Sequence, residues 1–205
     1  MSYDYEQTHE NILNSARVQF REKGYLEASI RKICSDAGVT NGAFYSHFAS
    51  KEDLFCSIVK PCIDGLNEIY SDEKKAYFKI SCSEDVLNSF RNAYISLEKM
   101  IRYVCDHRED FQLLLESGRG TIYEGFQDGI IDAEVESMKK FFKISSKYIK
   151  NKENISENII RMGSAFLIST VFEGIRNGLN AEEIIHETKL VSDYCAAGYK
   201  CVFGI

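Results

Sequence analysis

The chain has 205 residues, 44% of which are hydrophobic, and its 25 Lys and Arg against 31 Asp and Glu give a formal net charge of −6. This length suffices for one or two helical domains with a sizeable core. The acidic balance argues against a protein that coats nucleic acid, because cationic side chains supply most of the non-specific affinity for phosphates.

No apolar run is long enough to span a bilayer and no signal-peptide pattern occurs, so we expect a cytoplasmic protein without a membrane partner. The single proline and the scarcity of strand-like alternation indicate an all-α fold. The chain is therefore expected to consist of helices joined by loops.

Residues 29–51 predict two short helices joined by a tight turn. Apolar residues recur at helical spacing up to Ala37, and Gly38 can end this helix with a left-handed backbone. Thr40 is a suitable N-cap for a second helix over residues 41–46. Such a pair has the form of a helix-turn-helix, whose second helix fits the major groove of B-DNA, so the segment predicts binding to double-stranded DNA.

Polar groups are concentrated on and around this second helix. Asn41 lies at the N-terminal end that a recognition helix presents to base edges, and Gly42 lets the backbone approach a phosphate closely. Hydroxyl, phenol, imidazole and ammonium groups are suitable phosphate donors. The candidate DNA contacts are Thr40, Asn41, Gly42, Tyr45, His47 and Lys51. The alternative is an ordinary helical hairpin with a solvated polar face, which would make the chain a cytosolic helical adaptor that binds protein through this hairpin.

Residues 12–55, ILNSARVQFREKGYLEASIRKICSDAGVTNGAFYSHFASKEDLF, carry an ordered series of recognisable positions. Phe20 precedes the pair Gly24-Tyr25, and an AGV triplet precedes a helix that ends in a tyrosine and a His-Phe pair. A serine and a lysine then begin the next helix. This series resembles the N-terminal DNA-binding domain of TetR/AcrR-type transcriptional regulators.

The resemblance implies separate roles for the candidate DNA contacts. The expected phosphate contacts are Tyr45, His47 and Lys51. The expected base-proximal positions are Thr40, Asn41 and the backbone at Gly42. Asn41 stands where lysine or arginine is common, and asparagine pairs with adenine, so an A·T-rich operator is expected. Ser29 stands where threonine is common, and its hydroxyl can still donate to a phosphate.

Further helices are predicted along the rest of the chain. They cover residues 51–70, 83–105, 111–115, 121–150, 156–177 and 181–203. Pro61 should kink the first of these, and residues 71–82 are predicted to form a loop. Asn154 with Glu157, and Asn180 with Glu183, are capping signals for the last two. We predict a helix-turn-helix DNA-binding domain over residues 1–50 and a helical ligand-binding and dimerisation domain over residues 51–205.

The last two predicted helices carry apolar residues on more than one side, so each needs two partners. One side can pack within the chain and the other against a second copy, which gives a four-helix interface. A homodimer would also supply the second recognition helix that paired half-sites require. The predicted interface comprises Leu167, Ile168, Val171, Phe172, Ile175, Leu190, Val191, Tyr194, Ala197 and Val202. The alternative is a monomeric bundle.

The resemblance also implies a small-molecule effector that binds among the C-terminal helices and releases operator DNA. The chain would then be a ligand-responsive regulator, most simply a repressor, although an activator would have the same fold. Aromatic and polar residues are expected to line the pocket. The candidates are Tyr94, Tyr103, His107, Phe111, Arg119, Tyr123, Phe126 and Phe166.

Seven cysteines are spread along the chain without a C-x-x-C motif, and none lies at ligand spacing from a histidine. We therefore expect reduced thiols and no metal site, with a cysteine-based redox-sensing regulator as a further alternative. The sequence shows no phosphate-binding loop, nucleophile elbow or metal-binding helix. We expect no enzymatic activity and no cofactor.

Overall fold

The computed structural model describes residues 2–73 and 80–205, and these ranges contain ten α-helices and no strand. The helices are α1 (Ser2–Glu27), α2 (Ile30–Ala37), α3 (Asn41–His47), α4 (Lys51–Glu73), α5 (Ser83–Arg91), α6 (Ala93–Asp106), α7 (Arg108–Ser117), α8 (Phe126–Ser145), α9 (Glu157–Arg176) and α10 (Ala181–Phe203). The prediction of an all-α chain with an N-terminal helix-turn-helix and a C-terminal helical part is confirmed.

The described helices belong to two compact units. The first contains the chain up to Gly65 together with His107–Phe126, and the second contains Leu66–Asp106 and Gln127–Ile205. The boundary thus falls inside α4, whereas the predicted functional division after residue 50 followed the end of the helix-turn-helix. That division stays a prediction about function.

The first unit has a core of aromatic side chains from α1, α3 and α4. Phe20, Phe44 and Phe55 are fully buried, and the rings of Phe20 and Phe55 lie 5.2 Å apart. Helix α7 joins this unit because the Ser117 hydroxyl donates to the carbonyl of Phe20 at 2.8 Å and Arg17 pairs with Asp110 at 3.1 Å. These contacts connect positions more than ninety residues apart in sequence.

The second unit is built around α10, which packs against α9, α5 and α6. An aromatic cluster lies at one part of this core, where Tyr199 stacks on Phe203 at 5.2 Å and approaches Phe90 at 4.6 Å. Phe142 contacts Phe203 at 5.1 Å. None of the helices in the described parts of the chain is long and apolar enough to cross a membrane.

Several predicted helix boundaries differ from the structure. The predicted helix over 83–105 is two helices, because the chain leaves helical geometry at Asn92 between α5 and α6. Helix α8 begins at Phe126 rather than near residue 121, since Thr121 makes a turn in which its hydroxyl donates to the carbonyl of Gly118 at 2.6 Å. Helix α4 extends to Glu73 into the predicted loop, and positions 74–79 of that loop lie outside the described residues.

The two predicted capping signals have different outcomes. Asn180 and Glu183 form a reciprocal capping box at the start of α10, with bonds of 3.1 and 2.8 Å, which confirms that prediction. The predicted cap at Asn154 is wrong. Ser156 caps α9 instead, accepting from the N–H of Ile159 at 3.3 Å, because Asn154 lies in a short 3₁₀ turn that precedes the helix.

Candidate nucleic-acid interface

The helix-turn-helix is shaped by local caps that the sequence predicts. Gly38 ends α2 in the left-handed conformation, at φ 71° and ψ 27°, and its N–H bonds to carbonyls of the preceding turn. Thr40 caps α3, with its Oγ1 accepting from the N–H of Ala43 at 3.1 Å. Phe44 is 0% exposed and holds α3 to the core, where its ring lies 5.8 Å from that of Phe48.

The predicted DNA-contact positions on this motif lie at the surface. Ser29, Thr40, Asn41 and Gly42 are exposed, and Tyr45 is 58% exposed although its neighbour in the chain is fully buried. A Cβ built on Gly42 would come no closer than 3.8 Å to Thr40 Oγ1, which is an ordinary contact. The fold itself therefore does not require glycine at this position, and the surface there is open to a partner.

His47 at the end of α3 is covered by the N-terminal part of α1. Its ring lies 4.0 Å from that of Tyr5 and 5.6 Å from that of His9. The Nδ1 atoms of both histidines are buried, and neither has a hydrogen-bond partner among the described residues. Burial, followed by the nearby His9, lowers the pKa of His47, so its imidazole is neutral at neutral pH.

Sequence reasoning missed Tyr5 and His9. The hydroxyl of Tyr5 donates to the carbonyl of Ser46 at 3.4 Å, and the His9 ring stacks on Phe48 at 4.7 Å. The spacing of four residues between Tyr5 and His9 places two rings on one face of α1, and this was the available signal. Both residues therefore support the end of the recognition helix.

Lowering the pH below about 6.5 should destabilise the first unit through His47. Its folded pKa lies below the ordinary value of 6.5, so the unfolded chain binds the proton more readily. The stability from neutral His47 is therefore present above pH 6.5 and is lost as the pH falls through the folded pKa.

Thermal denaturation between pH 7.5 and 5.5 should show a smaller loss of stability for His47→Gln than for the wild type. His186→Gln, at an exposed position of α10, should follow the wild type. Identical pH profiles for His47→Gln and the wild type would contradict this expectation.

Lys51 is engaged with the end of α1. Its Nζ donates to the carbonyls of Tyr25, Leu26 and Ala28 at 2.7, 3.1 and 3.0 Å, and it lies 4.5 Å from the centre of the Tyr25 ring. Burial lowers the pKa of Lys51. The ammonium group therefore satisfies carbonyls that α1 leaves open, a role that the sequence did not indicate.

Lys51→Met, which keeps most of the apolar stem, should lower the free energy of unfolding by about 1.5 kcal/mol because it removes these charged hydrogen bonds. Urea denaturation measures this loss. Lys60→Met, at an exposed position of the same helix where the lysine pairs with Asp64, should have little effect. The salt dependence of DNA binding tests the phosphate contact separately, because loss of a phosphate-binding lysine reduces the slope by about one.

The second unit contains a cavity lined by residues of α5, α6, α8, α9 and α10, together with Tyr70 of α4. None of the eight predicted pocket residues lines this cavity, all of them being in the described part of the chain. Those that belong to the first unit are His107, Phe111, Arg119, Tyr123 and Phe126. The others are Tyr94 and Tyr103, half-buried on α6, and Phe166, exposed on α9. The predicted residues are thus not those of this cavity, because periodicity marks an aromatic residue without showing which helices surround it, and their role in binding an effector stays a prediction.

The residues of the predicted dimer interface include some that are buried within the second unit and some that are exposed. Its α9 members Ile168, Val171, Phe172 and Ile175 are buried within their own unit, and Leu167 lines the cavity. These side chains are therefore not open to a second copy, which corrects that part of the prediction. The exposed large hydrophobic residues of the last two helices are Met162, Phe166, Leu190, Tyr194 and Val202, called here the α9/α10 surface.

The cysteines are free thiols in this structure. Cys34, Cys62 and Cys195 are buried, and burial raises the pKa of Cys62 to about 12. A thiol with so high a pKa is a poor nucleophile, because the thiolate is the reactive form. The described residues also contain no group of three or more His, Cys, Asp or Glu side chains that could hold a metal ion.

Comparisons with known proteins agree with these features. The model of the TetR family of bacterial regulatory proteins matches residues 12–58. The Transposon Tn10 TetC protein of Escherichia coli is 31% identical over 107 residues, which cover 52% of this chain and 49% of that protein. The match thus spans about half the length of this relative.

Solved structures show the same fold at low identity. A TetR-like transcriptional regulator from Rhodococcus sp. RHA1 has a TM-score of 0.62 at 16% identity, covering 93% of this chain and 96% of that one. FadR from Bacillus subtilis, in complex with stearoyl-CoA, has a TM-score of 0.55 at 17% identity, covering 92% and 98%. The family-model match at the capped helix-turn-helix of residues 12–58, together with this all-α fold, makes the chain similar to TetR-family transcriptional regulators.

Proposed function

We propose that the chain is a non-enzymatic, cytoplasmic repressor that binds operator DNA as a homodimer and releases it when a small molecule binds in the second unit. The observation that carries the proposal is the outer face of α3. A fully buried Phe44 holds the helix in place, while the adjacent Tyr45 is 58% exposed next to the exposed Asn41 and Gly42. This is the arrangement that a recognition helix needs.

The proposed roles of the contact residues follow from their surroundings. Asn41 reads a base edge, with adenine as the favoured partner, and the open backbone at Gly42 admits the DNA strand. Tyr45 donates its phenol to a phosphate, and the hydroxyls of Ser29 and Thr40 are further donors. His47 would act as a neutral donor because its pKa is lowered. For Lys51 we propose that it positions α4 against α1, with any phosphate contact secondary to the three carbonyl bonds.

A homodimer is proposed on the α9/α10 surface. Phe166 of α9 and Tyr194 of α10 lie with their rings 5.6 Å apart, and they are 45% and 70% exposed. A two-helix surface of this kind is covered when a second copy supplies the same two helices, which forms a four-helix interface. A dimer also doubles the few cations that each copy brings to DNA.

A small-molecule effector is proposed because the second unit contains a cavity and because FadR, a protein of the same fold, is known in complex with stearoyl-CoA. An effector can release DNA only if it binds better to the state that does not fit the operator. The residues that line this chain's own cavity determine which chemical class of ligand it binds.

The proposal is tested by titrating the purified protein against the DNA immediately upstream of its own coding region and against unrelated DNA, at two salt concentrations. Tyr45→Phe removes only the phenol hydroxyl. It should weaken binding to both DNAs by about fivefold, the equivalent of one net hydrogen bond of about 1 kcal/mol. Asn41→Ala should instead change the base preference at one position of each half-site.

Two outcomes would decide against this function. An absence of salt-dependent binding to any DNA would contradict a DNA-binding role and favour the adaptor alternative, in which the hairpin binds protein. Wild-type affinity in Tyr45→Phe and Asn41→Ala would show that the outer face of α3 is not the contact surface.

A further inference from the structure

The cavity of the second unit is small and mostly apolar. Its volume is about 80 Å³, which is room for a ligand on the order of ten non-hydrogen atoms. Its apolar wall includes Phe90, Leu97, Met138, Phe141 and Leu167. A compact apolar body, such as a single ring, fits against this wall.

A buried hydroxyl on α9 lines the same cavity. Ser164 is 4% exposed, and its Oγ is buried without a hydrogen-bond partner among the described residues. A hydroxyl on a helix can donate to the carbonyl four positions earlier, as Ser145 and Thr188 do in this chain at 2.8 and 2.7 Å. Ser164 makes no such bond. Because buried polar groups are normally satisfied, its hydrogen is available to a molecule in the cavity.

The phenol of Tyr199 lies beside this serine. A Cβ built on Gly163, the residue before Ser164, would overlap the Tyr199 hydroxyl, so this hydroxyl rests against the backbone of α9. Tyr199 also lines the cavity. Burial, followed by Cys195 and Glu134, raises the pKa of Tyr199, so its phenol keeps its hydrogen and can donate it. Ser164 and Tyr199 therefore provide two neighbouring donors.

Other polar groups of the lining have partners within the protein. The carboxylate of Glu134 accepts from the hydroxyl of Tyr70 at 3.0 Å. The hydroxyl of Ser89 donates to the carbonyl of Asp85 at 2.8 Å. These bonds form without a ligand, whereas the Ser164 hydroxyl gains a hydrogen bond only from a molecule that enters the cavity.

Two donors in an apolar cavity select for a neutral acceptor. A carbonyl oxygen has two lone pairs and can accept from both hydroxyls without bringing a further donor into the apolar space. A carboxylate or an ammonium group would lose its hydration on entering, which costs far more than burying a neutral oxygen. A purely apolar molecule would leave the Ser164 hydroxyl unsatisfied.

We propose, resting on the repressor function proposed above, that the effector is a small neutral carbonyl compound whose oxygen accepts hydrogen bonds from Ser164 and Tyr199 while its compact apolar body packs against Phe90 and Phe141. Ser164 belongs to α9 and Tyr199 to α10. The ligand therefore contacts the two helices that also carry the proposed dimer surface.

Four probes of the same size and shape test this ligand class on the full chain. Acetophenone, cumene, benzoate and benzamidine share a ring and differ in a branched substituent that is a neutral carbonyl, apolar, anionic or cationic. Each is titrated against the purified protein, with the melting temperature and the binding isotherm as readouts. Acetophenone should raise the melting temperature and bind at least tenfold more tightly than either charged probe. Binding of a charged probe equal to or tighter than that of acetophenone would overturn the proposal.

Ser164→Ala tests the first hydrogen bond through the ratio of acetophenone affinity to cumene affinity, because the contribution of the shared ring cancels in this ratio. Loss of one hydrogen bond should lower the ratio by about fivefold. The matched control is Ser192→Ala, which removes a second buried hydroxyl without a partner in the described chain, at a position outside the described lining. This control should leave the ratio unchanged. An unchanged ratio in Ser164→Ala would overturn the proposal.

Tyr199→Phe tests the second hydrogen bond while keeping the ring. It should also lower the ratio of acetophenone affinity to cumene affinity by about fivefold. Tyr194→Phe removes a phenol hydroxyl from an exposed position of the same helix and should leave the ratio unchanged. Equal ratios in Tyr199→Phe and the wild type would reject the contact with Tyr199.

DNA titrations in the presence of acetophenone separate this proposal from the one on which it rests. Acetophenone that binds and releases operator DNA supports both. A protein that binds operator DNA but does not bind acetophenone overturns the ligand class and leaves the repressor function intact. Acetophenone binding in a protein that binds no DNA keeps the carbonyl site and overturns its role as an effector site.

Discussion

Phe44→Ala is expected to lower the free energy of unfolding by about 3–5 kcal/mol and to abolish specific DNA binding. Phe44 is 0% exposed and is the buried residue of the seven-residue α3. A helix of two turns is not stable alone, so its structure depends on this contact. Urea denaturation and DNA titration of the same samples measure the two effects.

The adjacent aromatic residue is the matched control. Tyr45→Ala removes a side chain that is 58% exposed, so it should change the stability little while weakening binding to all DNA sequences. The two variants therefore distinguish loss of the fold from loss of the contact with DNA. Normal DNA affinity in Phe44→Ala would show that α3 is not the element that binds DNA, and a large loss of stability in Tyr45→Ala would show that its ring has a structural role.

Tyr194→Asp is expected to convert the proposed homodimer to a monomer. Tyr194 is 70% exposed in the single chain and lies beside Phe166, so a dimer on the α9/α10 surface would bury an uncompensated carboxylate at its centre. Burying such a charge costs about 4 kcal/mol, which corresponds to a roughly thousandfold weaker dimer. Sedimentation or light scattering across a concentration series gives the stoichiometry.

Lys189→Asp introduces the same charge on the side of α10 that faces Tyr94, whose ring centre lies 5.8 Å from Lys189 Nζ. This variant should remain dimeric. Operator binding by Tyr194→Asp should fall together with its dimerisation, because a monomer occupies one half-site at a time. A Tyr194→Asp variant that stays dimeric would place the interface elsewhere, and a monomeric wild type would reject the homodimer.

Local signals made the helix-turn-helix predictable. The caps at Gly38 and Thr40 and the capping box of Asn180 with Glu183 each involve residues within four positions of one another, so the spacing in the sequence contains the whole interaction. The all-α class and the place of the recognition helix follow from the same short-range patterns. These elements required no knowledge of the rest of the fold.

The carbonyl contacts of Lys51 show where this short-range reasoning ends. The lysine lies more than twenty positions from the three carbonyls it binds, and its place in the motif indicated a phosphate contact. The packing of α4 on the end of α1 brings the ammonium group to these carbonyls, and the phosphate contact of Lys51 stays a prediction. His47 is similar, since burial and then the nearby His9 lower its pKa, and His9 lies near the beginning of α1.

The sequence by itself determined the helix class, the caps at Gly38, Thr40 and Asn180, and the recognisable series of positions in residues 12–55, because these depend on interactions within a few residues. Only the tertiary structure decided which apolar residues of α9 are buried within the second unit, which belong to the α9/α10 surface, and which side chains line the cavity with Glu134 and Ser164. The physical reason is that helical periodicity shows that a face is apolar but not what covers it. Burial against the same chain, a second copy or a ligand removes apolar surface from water equally well, so the pattern alone does not distinguish these cases.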